Sequence, residues 1–276
     1  MQKATSRGFF TPPDLNATCK FVIVIRMMCL DRRSALSWAA LTPLGSMGLA
    51  PQARAAAPWV LDVIDVAPYG GLSPTGEVMG VMADFAQALA KAADRPIETR
   101  LVPIARAIQD VNRNAADLSI MLPVPGLAPE VKAIARLTQL EVEVLPRKGV
   151  VMDSKASLRG LRIASLSAGA GYSMIADLDG VIHQRTNTLT SMMQLLRSGR
   201  VDGVASVRQS LRYGMREEGM RASEFGTPYV LGLLDLTLWG SPALPEADRA
   251  ALADAAAKVT RTGVAARIVA KHTATV

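Results

Sequence analysis

Apolar residues from Trp59 onward alternate between short continuous runs and helical repeats. The segment WVLDVIDVAPYGG predicts an apolar strand that ends at a Pro-Tyr-Gly-Gly turn. Val81, Phe85 and Leu89, each four residues apart, predict one face of a helix that ends before Pro96. A strand in IETRLVPI, a helix in IARAIQDVNRNA and a buried strand in ADLSIMLPV then follow. Strands that alternate with helices are typical of an α/β domain with a mostly parallel sheet.

A second series of the same kind fills the rest of the chain. Its predicted elements are a strand in LRIASL, a helix in GYSMIADL, a strand in VIHQRT, a helix in TLTSMMQLLRSG, a strand in VDGVASV and a helix in RQSLRYGMREEG. The stretch YVLGLLDLTLWGS predicts further strands, and a long alanine-rich helix with a break near Gly263 ends the series.

The two series contain matching units. Gln109 and Asp117 in the first correspond to Gln194 and Asp202 in the second, and each acid follows a helix and a turn and precedes an apolar strand. We interpret the acids as residues that bind backbone N–H groups at these turns. The match predicts two lobes, at 58–148 and 149–235, with 236–276 as a return segment and helix that packs on a lobe. Facing lobes of this kind form a cleft that can close over a small molecule.

Residues 1–57 have the pattern of an export signal. Arg32 and Arg33 precede a modestly apolar stretch that ends in small residues, which predicts cleavage near Ala55–Ala57 and a periplasmic location. The pattern leaves open whether export uses the general or the twin-arginine route. A start at Met27 or Met28 would give a leader of ordinary length.

The formal net charge of +7 is concentrated in this leader. Residues 1–55 hold seven basic and two acidic side chains, so the body has 24 basic and 22 acidic ones and no basic stripe. This balance argues against nucleic-acid binding. Both cysteines, Cys19 and Cys29, precede the body, and the two histidines, His183 and His272, lie far apart. We therefore expect no metal site and no cofactor.

Several segments, in this order, resemble bacterial extracellular solute-binding proteins of the amino-acid ABC transporter type (family 3), which have the type II periplasmic binding fold. The segments are APYGGLSPTGEVMGVMADFAQALAKAA, LVPIARAIQDVNRNAADLSIML, SLRGLRIASLSAGAG, LLRSGRVDGVAS and KVTRTGVAARIVAKH. The resemblance implies a two-lobed α/β fold with a central cleft. It also implies a monomer that binds a small-molecule ligand and delivers it to an inner-membrane ABC permease.

Two departures from that family bear on the ligand. Members that bind amino acids usually carry Thr-x-x-Arg after the third strand, where the arginine holds the α-carboxylate, but here the stretch is Ala128-Pro129-Glu130-Val131. They also usually carry an aspartate for the α-amine near the position of Val207. An ordinary amino acid is therefore not the expected ligand.

Four candidate ligand-binding residues lie where strands end. Tyr69 follows the first strand and could form a wall of the cleft, or pack in the core. Arg106 begins a helix after the second strand and could bind an anion, or lie in solvent. Ser206 and Arg208 end the strand that follows Asp202.

Four more candidates lie in the segment SAGAGY, which joins a strand to a helix. Ser167, Gly169, Gly171 and Tyr172 leave room for a ligand close to the backbone, and the helix N-terminus offers free N–H groups. No Gly-Lys-Ser/Thr follows, so this is not a nucleotide phosphate loop. A plain tight turn is the alternative.

These observations predict a periplasmic protein that binds a small polar or anionic solute, and not an enzyme. No GxSxG or HExxH motif is present. Two alternatives stay open: an enzyme of the same fold that resembles small-acid dehydratases, and a sensory module that presents its ligand to a membrane receptor.

Overall fold

The computed structural model describes residues 57–273. The predicted export signal, apart from Ala57, lies outside the described residues, and so do both cysteines. No helix in the described part is long and apolar enough to cross a membrane.

The strands form one large sheet and one small hairpin within the described range. In chain order they are β1 (Trp59–Ile64), β2 (Gly71–Leu72), β3 (Val78–Met79), β4 (Ile97–Val102), β5 (Leu118–Met121), β6 (Lys132–Pro146), β7 (Arg162–Leu166), β8 (Ile182–Thr186), β9 (Gly203–Val207) and β10 (Tyr229–Gly240). The hairpin β2–β3 was not predicted from the sequence, because each of its strands has only two residues.

The eight-stranded sheet has the order β4-β1-β5-β10-β6-β9-β7-β8 in the described chain. At one side, β1 pairs in parallel with β4 and β5, and at the other β7 pairs in parallel with β8 and β9. The central strands β10 and β6 are antiparallel to each other and to their outer neighbours. The sheet is thus two parallel halves joined by a long antiparallel pair.

The helices pack on these halves. In chain order they are α1 (Val81–Ala93), α2 (Ile104–Asn112), α3 (Ala170–Ile175), α4 (Leu189–Arg197), α5 (Arg208–Glu217), α6 (Glu246–Arg261) and α7 (Val264–Thr273). We call β1, β4 and β5 with α1, α2, α6 and α7 lobe 1, and β7, β8 and β9 with α3, α4 and α5 lobe 2. The last two helices pack against α1, so the end of the described chain returns to lobe 1.

Most of the predicted elements are confirmed. Val81, Phe85 and Leu89 are fully buried on one face of α1, and the last helix is interrupted at Gly263, whose φ of +70° suits glycine. Burial of these apolar faces against the sheet is the main favourable contribution to the fold.

The two duplicated acids have matching roles in the two lobes. Asp117 Oδ2 accepts a hydrogen bond from the Val60 N–H at 2.8 Å, and Asp202 Oδ2 accepts one from the Arg162 N–H at 2.9 Å. In return, the Asp117 N–H donates to the Val60 carbonyl and the Asp202 N–H to the Arg162 carbonyl. The predicted bonds to backbone N–H groups exist, but they join the acid to the neighbouring strand, β1 or β7, and not to its own turn.

Candidate functional site

The two lobes enclose a cavity of about 70 Å³ at the carboxyl ends of their parallel strands. Lobe 1, lobe 2 and the central strands all contribute to its wall. The lining residues are Ile64, Val66, Tyr69, Met82, Ile104, Met121, Leu122, Val124, Leu140, Leu166, Ala168, Gly169, Ala170, Gly171, Ala205, Ser206, Val207, Ser210 and Leu236.

The wall of this central cavity is almost entirely apolar. Within the described residues its polar side chains are the hydroxyls of Tyr69, Ser206 and Ser210, and none of the lining residues is charged. A charged ligand group would find no side-chain counter-ion there.

A hydrogen bond between the lobes closes one side of the cavity. The Tyr69 hydroxyl, at the end of the loop after β1, donates to Gln209 Oε1 of α5 at 3.2 Å. Burial raises the pKa of the Tyr69 phenol, which keeps it protonated and able to donate. Tyr69 therefore forms a wall of the cavity and also contacts the opposite lobe.

The glycine-rich segment lies against β9. Gly169 and Gly171 line the cavity, and a Cβ at Gly171 would lie 2.0 Å from the Ala205 carbonyl oxygen. Glycine is therefore required at 171 because α3 begins directly on β9. This close packing explains the residue without any ligand.

Ser167 and Tyr172 do not line the central cavity. Ser167 lies at its mouth, in a wider recess of about 580 Å³, where its Oγ donates to Asn187 Oδ1 at 3.3 Å. The Tyr172 ring contacts His183 edge-on, and the Arg185 guanidinium lies 4.8 Å from its centre. Tyr172 thus packs beside β8.

Arg106 also lies away from the cavity wall. It is exposed and binds Asp110 one turn along α2, at 2.8 Å. The bond to Asp110 raises the pKa of Arg106. Asp110 in turn lies 3.8 Å from Arg100, which binds the buried Asp62. The arginine belongs to a charge cluster between α2 and the outer edge of the sheet.

Arg208 is bound to acids of β6. Its Nε donates to Glu143 Oε2 at 2.8 Å, and its guanidinium also contacts Glu141. Burial raises the pKa of Glu143 and lowers the pKa of Arg208. Of the eight candidates, Tyr69, Gly169, Gly171 and Ser206 thus meet at the cavity, whereas the two arginines, Ser167 and Tyr172 do not.

Ser210 is the polar lining residue that was not among the sequence candidates. It lies in the first turn of α5, is 1% exposed, and its Oγ has no hydrogen-bond partner among the described residues. The sequence contained one indication of Ser210. Val207, the position of the aspartate that is missing from the sequence, lines the same wall and is the N-cap of α5, only three residues earlier.

The described residues include no group of three histidine, cysteine, aspartate or glutamate side chains close enough to hold a metal ion.

Val207, at the position of the missing aspartate, is 8% exposed in the cavity wall. The site therefore contains neither part of the usual amino-acid clamp.

Comparison with known proteins identifies the fold. No protein-family model matches the sequence, and no curated protein matches it. Among solved structures, a histidine kinase sensor domain similar to periplasmic binding proteins has a TM-score of 0.70 at 18% identity, over 79% of this chain and 96% of that one. The L-cysteine solute receptor of Neisseria gonorrhoeae has a TM-score of 0.66 at 18% identity, over 78% of this chain and 89% of that one.

A third similar structure is the ancestral amino acid-binding protein AncCDT-1, a precursor of cyclohexadienyl dehydratase. Its TM-score is 0.65 at 16% identity, over 78% of this chain and 93% of that one. With the strand order given above, these similarities confirm the predicted fold: the described chain has the two-lobed α/β fold of the type II periplasmic binding proteins.

Proposed function

We propose that this protein is a periplasmic solute-binding protein that encloses a small polar or anionic molecule between its lobes. The observation that carries the proposal is the cavity whose wall is shared by both lobes. Enclosed sites of this kind at strand ends are where open α/β sheets bind ligands. The structures it resembles include the L-cysteine receptor, which supports a solute-binding role.

The partner that we propose is an inner-membrane ABC permease, which would receive the solute from the closed protein. The export signal supports a periplasmic location for this exchange. We propose that the protein acts as a monomer, because one chain supplies both sides of the cavity.

A sensory role is the second candidate. It is favoured by the similarity to a histidine kinase sensor domain. Both roles need the same closed, ligand-bound form. Co-purification of the mature protein with a permease or with a sensor kinase from membranes would separate them.

Ligand binding can be tested by thermal unfolding of the mature protein with organic acids, amino acids, opines and polyamines. A ligand at a hundredfold excess over its Kd should stabilise the folded state by about 2.7 kcal/mol. Small-angle scattering should show a smaller radius of gyration on binding. If no compound stabilises the protein or changes its radius of gyration, the proposal is wrong.

A matched pair of variants locates the binding site. Val207→Trp places a large side chain in the cavity and should abolish binding. Val151→Trp makes the same change at a position that is 78% exposed and outside the cavity wall, so it should leave binding intact. Equal affinities in the two variants would place the site elsewhere.

The same samples test the enzyme alternative, which is raised by the similarity to a dehydratase precursor. NMR should detect the bound solute unchanged after long incubation. Conversion of the solute into product would show that the protein is an enzyme.

A further inference from the structure

The hydroxyl of Ser210 has no internal function that the structure shows. Its Oγ is inaccessible to solvent and has no hydrogen-bond partner among residues 57–273, yet the residue lines the central cavity. Buried polar groups in native proteins are normally paired, because an unpaired one destabilises the folded state. A ligand in the cavity would supply the missing partner.

A second serine provides an internal comparison. Ser165 of β7 is also fully buried, and its Oγ also lacks a partner among the described residues. It does not line the cavity, however, whereas its neighbour Leu166 does. The two serines are therefore alike in burial, but only Ser210 belongs to a residue that lines the cavity.

The surroundings of Ser210 define the chemistry of that ligand. The cavity wall offers no carboxylate to bind an ammonium group, since its remaining side chains are apolar or hydroxylic. Val207, the N-cap of α5, provides no side-chain acceptor for the first-turn N–H groups. A hydroxyl beside the positive end of a ten-residue helix favours a hydrogen-bond acceptor.

On the basis of the proposed function, we infer that the cavity binds a compact molecule with an apolar body and one acceptor group, and without an ammonium group. The acceptor is a carboxylate or a carbonyl, and Ser210 Oγ donates a hydrogen bond to it. The apolar body contacts side chains from both lobes, such as Met121 of lobe 1 and Leu166 of lobe 2. This class excludes the ordinary amino acids.

Four probes test the class by calorimetry and thermal unfolding of the mature protein. They are 4-methylpentanoate, its amide, leucine, which is the same acid with an ammonium group added, and succinate, which is an acid without an apolar body. We expect the methylpentanoate or its amide to bind at least tenfold more tightly than leucine and succinate. The acid and the amide together distinguish a carboxylate from a carbonyl ligand.

Two variants test the role of Ser210. Ser210→Ala should raise the unfolding temperature of the unliganded protein, because an unpaired buried hydroxyl is removed. It should also weaken binding of the preferred probe about tenfold, which corresponds to one hydrogen bond. Ser165→Ala should raise the unfolding temperature as well, but leave affinity unchanged.

Each outcome distinguishes the inference from the proposed function. If leucine or succinate binds most tightly and closes the lobes, the ligand class is wrong and the proposed function stands. If Ser210→Ala and Ser165→Ala keep equal affinity, the assignment of Ser210 is wrong. If none of these probes and no compound of the wider panel binds, both the inference and the proposed function fail.

Discussion

Lobe 1 and lobe 2 share the bond made by Asp117 and Asp202 but differ in where they place charge. In lobe 1, Asp62 lies in the middle of β1 with no exposed surface, and Arg100 of β4 binds it at 2.8 Å. In β7 the residue that corresponds to Asp62 is Ala164. Asp62 follows Val60 by two residues, and Ala164 follows Arg162 by two, and these are the residues whose N–H groups bind the duplicated acids. The acid-to-backbone bond is thus duplicated, and the buried ion pair is not.

In lobe 2, the duplicated acid Asp202 pairs with arginines near the surface instead. Asp202 binds the Arg162 guanidinium at 3.1 Å and lies 3.7 Å from that of Arg147, and both arginines are about half exposed. Exposed pairs contribute little to stability, whereas a buried charge depends strongly on its partner. The backbone bond is therefore common to both units, whereas the ion pairs of the two lobes differ.

The largest effect is expected when the buried pair of lobe 1 is broken. Arg100→Met should lower the free energy of unfolding by about 3 kcal/mol, because it leaves the Asp62 carboxylate buried without its partner. The matched change in lobe 2, Arg162→Met, should cost at most about 1 kcal/mol. Urea unfolding of both variants measures the difference, and equal losses would contradict the contrast between the lobes.

The next effect concerns the shared bond. Asp117→Ala and Asp202→Ala should each cost about 1–3 kcal/mol, because each leaves a strand N–H without its acceptor. Asn at either position keeps an acceptor oxygen and should cost less than Ala. A loss at Asp202 that far exceeds the loss at Asp117 would show that the guanidinium contacts, and not the backbone bond, dominate in lobe 2.

A smaller effect is expected where the lobes touch. Tyr69→Phe removes the hydrogen bond to Gln209 and should reduce stability by about 1 kcal/mol or less. Since the bond exists between lobes, the unliganded protein should also become more open, which small-angle scattering can detect. An unchanged radius of gyration would indicate that the bond between Tyr69 and Gln209 does not hold the two lobes together.

The smallest effect is a pH dependence of opposite sign in the two lobes. The bond from Arg162 lowers the pKa of Asp202 below its ordinary value of 3.8, so its contribution is present above that value and lost as pH falls through the lowered pKa. Burial raises the pKa of Asp62, and the opposing effect of Arg100 is weaker. The Asp62 contribution is therefore present below its ordinary pKa and lost as pH rises through the raised one.

Asn variants measure these contributions from pH 2 to pH 7. Wild type should gain stability relative to Asp202→Asn as pH rises, by less than about 1 kcal/mol because the arginines are half exposed. Relative to Asp62→Asn, it should lose stability over the same rise. The same slope for both variants would refute the assignment of the two shifts.

Sequence patterns predicted the elements and the duplicated unit because those depend on local spacing. Tyr69, Gly169, Gly171 and Ser206 line the central cavity because each ends or follows a strand, where the fold brings chain segments together. The arrangement of the sheet around β6 and β10 was not predicted, since it depends on pairing between residues about 100 positions apart.

The arginines show why the rest of the site was not predictable. Arg208 binds Glu143, which is 65 residues away, only because β9 runs antiparallel to β6 in one particular register. Nothing in its local sequence indicates this partner. Arg106 has its acid within one helical turn, at Asp110, and the i, i+4 spacing could have revealed that pair.

The position of β10 between β5 and β6 also affects the order in which the lobes can form during synthesis. All strands of the series β6-β9-β7-β8 have left the ribosome once Val207 has emerged. Between β5 and β6, however, a gap remains until Tyr229–Gly240 arrives. Strand pairs that are distant in sequence form late, because a long loop must close first. Lobe 2 is synthesised second, yet it is the first that can complete its strand pairing.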